Sequence, residues 1–174
     1  DLDSNPVWSP EGDRIAFLRT PNQSFLPFFE RRSGAGWSVM LADVASGESE
    51  SLWSSPDGPG SVFRFISGER QLYWGAKDQL IFPYEGTGWT HLYSLSVESG
   101  QVKDLSPGEG EVQFVSLSSD GKRLYYSGNH GDIDRQHIWK VDLASNEWKQ
   151  LTSGKGIEWA PLELPDGKLM CFAS

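Results

Sequence analysis

The 174-residue sequence has one cysteine, no long apolar run and fewer basic than acidic residues. Its single cysteine, Cys171, cannot form a disulfide within the chain, and it excludes neither a reducing nor an oxidising compartment. No apolar run approaches the roughly 20 residues that cross a bilayer. Lys and Arg number 15 against 24 Asp and Glu, and the net charge of -9 repels phosphate backbones and anionic lipid surfaces. We therefore expect no nucleic-acid partner and no membrane segment.

Three segments of alternating apolar and polar residues align without a gap. They are 39–53 (VMLADVASGESESLW), 92–106 (LYSLSVESGQVKDLS) and 138–152 (IWKVDLASNEWKQLT), separated by 53 and then 46 residues. Each consists of a strand, a turn at Ser-Gly or Ser-Asn, and a second strand, which is the pattern of a β-hairpin. Another predicted strand pair precedes each hairpin, and a fourth pair, 158–164 with 169–173, ends the sequence.

Four strands, A to D, thus repeat about every 45 residues without any helical periodicity. This pattern predicts an all-β fold, a β-propeller segment made of four-stranded antiparallel blades. We place blades at about 6–54, 71–106 and 112–153 and a half-blade at 158–173, within one partial propeller, 1–174. Because closed propellers have about four to eight blades and the first residue is Asp rather than Met, we expect a piece of a larger propeller, able to self-associate through open blade edges.

A short acidic motif recurs between strands A and B, as SPEGDR (9–14), SSDGKR (118–123) and LPDGK (164–168). Gly12, Gly121 and Gly167 supply a backbone that can adopt positive φ, and the acidic side chains can accept hydrogen bonds from amides of their own turns. The motif therefore predicts tight turns rather than a functional site.

Longer stretches resemble a known family. WSPEGDRIAFLR (8–19) is similar to the blade motif of TolB-like propellers and of the prolyl oligopeptidase superfamily of serine peptidases. FPYEGTGWTHLYSL (82–95), LYYSGNHGDIDRQHIWKVDL (124–143) and LTSGKGIEWAP (151–161) resemble the N-terminal propeller of dipeptidyl peptidase IV-like enzymes, particularly bacterial ones, and GPGSVFR (58–64) fits the same group.

The resemblance implies a parent protein with a second domain, an α/β-hydrolase that carries a catalytic Ser, Asp and His. Such enzymes remove dipeptides from peptide N-termini, and the propeller screens what reaches their active site. This sequence contains no G-x-S-x-G nucleophile motif and none of the family's paired glutamates. We therefore predict a non-catalytic segment without cofactor or metal, whose partners are peptide substrates and the hydrolase domain. Alternatives are a TolB-like protein-interaction propeller and a carbohydrate-active propeller.

The histidines and the clustered aspartates have mostly structural interpretations. His91 and His137 stand 46 residues apart, at the same position of two repeats, so we interpret them as structural side chains bridging neighbouring strands. His130, in the polar loop GNHGDIDRQ, is predicted to be solvated. Asp120, Asp132 and Asp134 lack the regular spacing of oxygen ligands in a calcium loop, and we interpret them as turn residues.

The direction of the strands predicts which face of the propeller carries the functional residues. In antiparallel blades the A–B and C–D turns share one face, while the B–C and D–A connections share the other. The longer connections, 20–37, 54–70, 85–90 and 129–136, all belong to the second group. Since functional residues concentrate on long loops held by a rigid scaffold, we expect this face to meet substrate or the hydrolase domain. The candidate residues are Arg31, Arg32, Glu85, Trp89, Asp132 and Arg135.

Overall fold

The computed structural model describes residues 1–21 and 36–174, and these form fourteen β-strands and no helix. The strands build three four-stranded sheets, each with its strands in chain order, and one two-stranded sheet. All pairs are antiparallel, as the alternating patterns predicted. In the described part of the chain no helix could cross a membrane.

The sheets are named blades 1 to 3 and the half-blade, in chain order. Blade 1 contains β1 (Leu2–Trp8), β2 (Arg14–Thr20), β3 (Ser38–Asp43) and β4 (Ser49–Ser54). Blade 2 contains β5 (Tyr73–Gly75), β6 (Gln79–Tyr84), β7 (His91–Ser96) and β8 (Val102–Asp104). Blade 3 contains β9 (Val112–Leu117), β10 (Arg123–Gly128), β11 (His137–Asp142) and β12 (Glu147–Gln150). The half-blade contains β13 (Glu158–Glu163) and β14 (Leu169–Ala173).

The apolar cores lie between consecutive blades. On β6, Leu80 and Phe82 face blade 1 while Ile81 faces blade 3, because successive side chains of a strand point to opposite faces. The core between blades 1 and 2 is centred on Trp37, which is 1% exposed and makes edge contacts with Trp53, Phe63, Phe82 and Tyr84. The aromatic richness of the sequence thus fills the space between sheets.

The recurring acidic motif forms turns, as predicted. Gly12, Gly121 and Gly167 have φ of 75°, 69° and 80°. A carboxylate oxygen of Asp120 accepts hydrogen bonds from the Ser118 hydroxyl and from the amide of Lys122. These contacts fix the reversal of the chain between strands A and B.

Strand A carries a second recurring feature, a residue in the left-handed backbone region. Asn5, Phe114 and Ala160 have φ of 53°, 49° and 51°, and each lies beside a register shift in its strand pair. Blade 2 differs, because its β5 has only three residues and pairs with β6 without a register shift. Positive φ costs a non-glycine residue roughly 1 kcal/mol, so the repeated bulge is maintained by its surroundings.

A bidentate ion pair joins blade 3 to the half-blade. The Arg123 guanidinium donates to both carboxylate oxygens of Glu163, at 2.8 and 3.1 Å, and the Glu163 side chain is only 8% exposed. The hydrogen bonds from Arg123, together with one from the Tyr125 hydroxyl, lower the pKa of Glu163. The pair therefore stabilises the fold fully above the ordinary glutamate pKa of 4.5, and this contribution is lost as the pH falls below that value.

We expect Glu163→Gln to lower the free energy of unfolding at pH 7 by about 1 kcal/mol, because the substitution removes a charge-assisted pair that is partly shielded from water. The matched control is Asp3→Asn, which breaks the equally bidentate but more exposed pair of Asp3 with Arg19 on blade 1 and should cost less. Urea unfolding at pH 7 and pH 3.5 measures both. Equal losses for the two variants, or a Glu163→Gln loss that is no smaller at pH 3.5 than at pH 7, would contradict the assignment.

Candidate functional site on the long-loop face

The short connections between strands lie at one end of the sheets, and the long connections lie at the other end. The β1–β2, β3–β4, β5–β6, β7–β8, β9–β10, β11–β12 and β13–β14 turns have between three and five residues. The remaining connections have between six and eighteen residues, and the antiparallel strand order places them all at the opposite end, which is called the long-loop face. The predicted asymmetry between the two faces is therefore confirmed, although residues 22–35 of one connection lie outside the described residues.

Two of the six candidate residues line one cleft on this face. Trp89, from the β6–β7 connection, and Asp132, from the β10–β11 connection, border a space of about 290 Å³. The other lining residues come from the β8–β9 and β10–β11 connections, and they are Glu109, Gly110, Asn129, Gly131 and Ile133. The cleft thus lies between blades 2 and 3 and combines an indole, an exposed isoleucine and two carboxylates.

Arg135 lies beside this cleft and neutralises one of its carboxylates. Its guanidinium donates to Asp132 at 2.9 Å and to the Lys155 carbonyl at 3.3 Å. The hydrogen bond from Arg135 is the largest cause that lowers the pKa of Asp132, and the amide of Asp134 contributes a second hydrogen bond. Asp132 is therefore an anion held in place by its neighbours, and the carboxylate of Glu109 is the more exposed acidic group of the cleft.

Glu85 does not line the cleft. Glu85 is buried, and its carboxylate lies 3.4 Å from the Arg64 guanidinium. The segment around Gly60 covers this region, since a methyl group placed on Gly60 would lie 2.4 Å from the Tyr84 ring and 3.0 Å from the backbone of Glu85. Glu85 is thus part of the packing beneath the long-loop face. Arg31 and Arg32 lie outside the described residues.

The two repeat-related histidines are buried and bound to carboxylates, which supports their structural interpretation. The Nδ1 atom of His91 lies 2.8 Å from Asp104 on the adjacent strand β8. The Nδ1 atom of His137 lies 2.8 Å from Glu158 on β13, in the half-blade. Both rings bridge neighbouring strands, one within a blade and one between sheets.

His130 is not solvated, so that prediction was wrong. Its side chain is buried, with 9% exposure, and its ring lies 5.4 to 6.0 Å from the ring centroids of His91, Tyr126, Trp139 and Trp148. Neither ring nitrogen has a hydrogen-bond partner among the described residues. One signal in the sequence pointed to this environment, because the β11–β12 hairpin that follows the loop carries Trp139 and Trp148 on adjacent strands, where their rings stack with centroids 4.4 Å apart.

In residues 1–21 and 36–174 no group of three or more His, Cys, Asp or Glu side chains is arranged to hold a metal ion. Asp120 and Asp132 instead bond to their own turns. The described residues of the long-loop face thus supply aromatic, acidic and guanidinium groups around the cleft.

Antiparallel four-stranded sheets, packed face to face through apolar cores and repeated along the chain, define a β-propeller segment. Sequence comparison assigns it more closely. The family model of the dipeptidyl peptidase IV (DPP IV) N-terminal region matches residues 37–164. The chain belongs to this family.

Individual relatives agree with this assignment. The uncharacterized peptidase YuxL of Bacillus subtilis is 28% identical over 148 residues, which cover 75% of this chain and 22% of YuxL. A puromycin-hydrolyzing peptidase from Mycobacterium tuberculosis has a TM-score of 0.61 at 18% identity, over 99% of this chain and 27% of that one. TolB from Acinetobacter baumannii has a TM-score of 0.57 at 19% identity, over 98% of this chain and 37% of that one. The structural likenesses show the shared propeller fold.

The chain spans between 15% and 33% of the length of YuxL and of two further curated relatives. It is a propeller segment of a peptidase-like protein.

Proposed function

We propose that this chain is a non-catalytic part of the propeller of a dipeptidyl peptidase IV-like serine peptidase, and that its long-loop face binds or gates peptide substrate and docks the α/β-hydrolase domain. The observation that carries the proposal is the cleft between Trp89 and Asp132 on that face, in a chain of the DPP IV N-terminal family. An indole offers apolar area to a peptide side chain, and the carboxylates favour cationic groups.

The short-turn face offers less to a substrate. Its turns are held by internal hydrogen bonds, in which the Ser46 amide donates to Asp43 and the amides of Ala144 and Ser145 donate to Asp142. Their carboxylates are already used by their own turns. The proposal therefore assigns scaffolding to this face.

The test uses the full-length protein that contains this chain. We expect Trp89→Ala to raise KM for a peptide substrate about fivefold, roughly 1 kcal/mol of binding, while labelling of the active serine by a fluorophosphonate stays unchanged. The matched control is Trp8→Ala, because Trp8 is exposed and ends β1 at the short-turn face. An unchanged KM for Trp89→Ala, or the same change for Trp8→Ala, would refute substrate binding at this cleft.

The 174-residue chain by itself should not hydrolyse a dipeptidyl-proline reporter, and hydrolysis by this chain would overturn its non-catalytic role.

The second candidate function is a protein-interaction propeller, which is favoured by the likeness to TolB over 98% of the chain. A full-length protein that lacks a fluorophosphonate-reactive serine and forms a stable complex with another protein would establish that alternative.

A further inference from the structure

The buried imidazole of His130 has no role in the proposed substrate cleft, and its position suggests a different one. We propose that His130 is an acid-released latch. In its neutral form, His130 holds the β10–β11 connection, residues 129–136, against blade 2. When His130 is protonated, this contact with blade 2 is lost. The device is distinct from the proposed peptide binding, although it controls a wall of the same cleft.

The latch joins two blades through one ring. His130 belongs to blade 3, while His91, whose ring centroid lies 6.0 Å away, begins β7 of blade 2. The β8–β9 connection packs directly on the latch, since a methyl group placed on Gly110 would lie 2.7 Å from the Cα of His130 and 2.9 Å from its Nδ1. Gly110 and the residues on either side of His130, Asn129 and Gly131, all line the cleft. Movement of His130 would therefore move the cleft wall.

The charged groups around His130 offer an imidazolium little direct support. The titratable side chains that face it are His91 and Asp104 of blade 2 and Tyr126 of β10. The Asp104 carboxylate is already engaged, because it binds Nδ1 of His91 at 2.8 Å and accepts the Ser106 amide at 2.9 Å. The Tyr126 hydroxyl accepts a hydrogen bond from the Trp148 indole. None of these groups forms a hydrogen bond with His130.

Burial therefore favours the neutral ring. Desolvation, with a smaller contribution from His91, lowers the pKa of His130 from 6.5 to about 4, while Asp104 acts in the opposite direction. Between these two values the unfolded or released residue binds a proton that the latched residue does not. The closed state thus loses stability as the pH falls from 6.5 towards 4, and it changes little above pH 6.5.

One interaction opposes this outcome. The Tyr126, Trp139 and Trp148 rings lie within 6 Å of the imidazole, a distance at which aromatic faces stabilise cations. The rings are nearly perpendicular to His130, at 79°, 82° and 87°. If cation–π attraction outweighed desolvation, protonation would tighten the latch instead of releasing it, and His130 would titrate above 6.5.

The first experiment follows the imidazole nitrogen resonances of His130 in the 174-residue chain by NMR between pH 8 and pH 4. We expect His130 to stay neutral to at least one pH unit below the value of 6.5 for an ordinary histidine. Titration at or above 6.5 would overturn the proposal. This measurement needs no substitution and so does not depend on a variant that folds.

The second experiment measures amide hydrogen exchange of residues 129–136 at pH 7 and pH 4.5, corrected for the intrinsic dependence of exchange on pH. Protection of this segment should fall at least tenfold at pH 4.5, while the β3–β4 hairpin of blade 1 serves as the internal control and keeps its protection. In His130→Phe, which keeps a ring that cannot be protonated, the fall should be absent. A fall that persists in His130→Phe, or an equal fall in the hairpin, would refute the latch.

Discussion

Replacing Trp37 with alanine is expected to lower the free energy of unfolding of this chain by about 4 kcal/mol, because it removes the largest buried side chain between blades 1 and 2. Four aromatic rings, from Trp53, Phe63, Phe82 and Tyr84, lie within 6.1 Å of the indole centroid and would border the resulting cavity. The indole also donates a hydrogen bond of 3.0 Å to the Gly60 carbonyl, which would lose its partner.

The control for this prediction is Trp8→Ala. Trp8 is 56% exposed in this chain, so its removal deletes the same atoms without opening a comparable cavity and should change the free energy of unfolding by less than about 1 kcal/mol. Urea unfolding followed by far-ultraviolet circular dichroism compares the two variants without relying on tryptophan emission. A Trp37→Ala loss no larger than the Trp8→Ala loss would show that the core between these blades is not centred on Trp37.

The second large effect is expected at Gly60, where alanine should cost about 3 kcal/mol. The backbone there has φ of 79°, and an added Cβ would lie 2.4 Å from the Tyr84 ring and 3.0 to 3.1 Å from the backbone of Glu85 and Gly86. The substitution therefore combines backbone strain with overpacking against main-chain atoms that cannot move independently.

Gly58 provides the matched control for Gly60. It lies in the same connection with φ of 108°, but no heavy atom lies within 4 Å of its added Cβ. Gly58→Ala should lower the free energy of unfolding only by the conformational cost of roughly 1 kcal/mol. The difference in this free energy between the two variants then measures the effect of the close contact at Gly60. Thermal unfolding monitored by circular dichroism gives the comparison. Equal losses would mean that the 58–64 segment does not pack tightly on Tyr84 and Glu85.

Most of the fold could be predicted from the sequence, because strand alternation and turn chemistry are local. The hairpins at 39–53, 92–106 and 138–152 form as predicted, with small differences at their ends. β1 begins at Leu2, before the predicted Pro6, because the bulge at Asn5 interrupts the alternation without ending the strand. Antiparallel pairing then fixes which connections share a face, so the long-loop face could also be predicted.

The details of the site could not be predicted, because they depend on contacts between blades. Trp89 and Asp132 are 43 residues apart in sequence, and they share a cleft only because blades 2 and 3 pack side by side. Glu85 looked like an exposed loop residue, yet the segment around Gly60 covers it. His130 lies among polar neighbours in sequence, but its ring enters a space walled by Trp139 and Trp148. Local polarity says nothing about such distant partners.

The left-handed residue of strand A occurs in three of the four sheets, yet its identity is Asn, Phe and Ala in turn. What the repeats share at this position is therefore a torsion angle and not a chemical group. A comparison of the strands by amino-acid identity would overlook the correspondence, whereas a comparison by backbone dihedral angles would align these three strands. Sequence drift in such a repeat can be extensive at a point where the path of the main chain is unchanged.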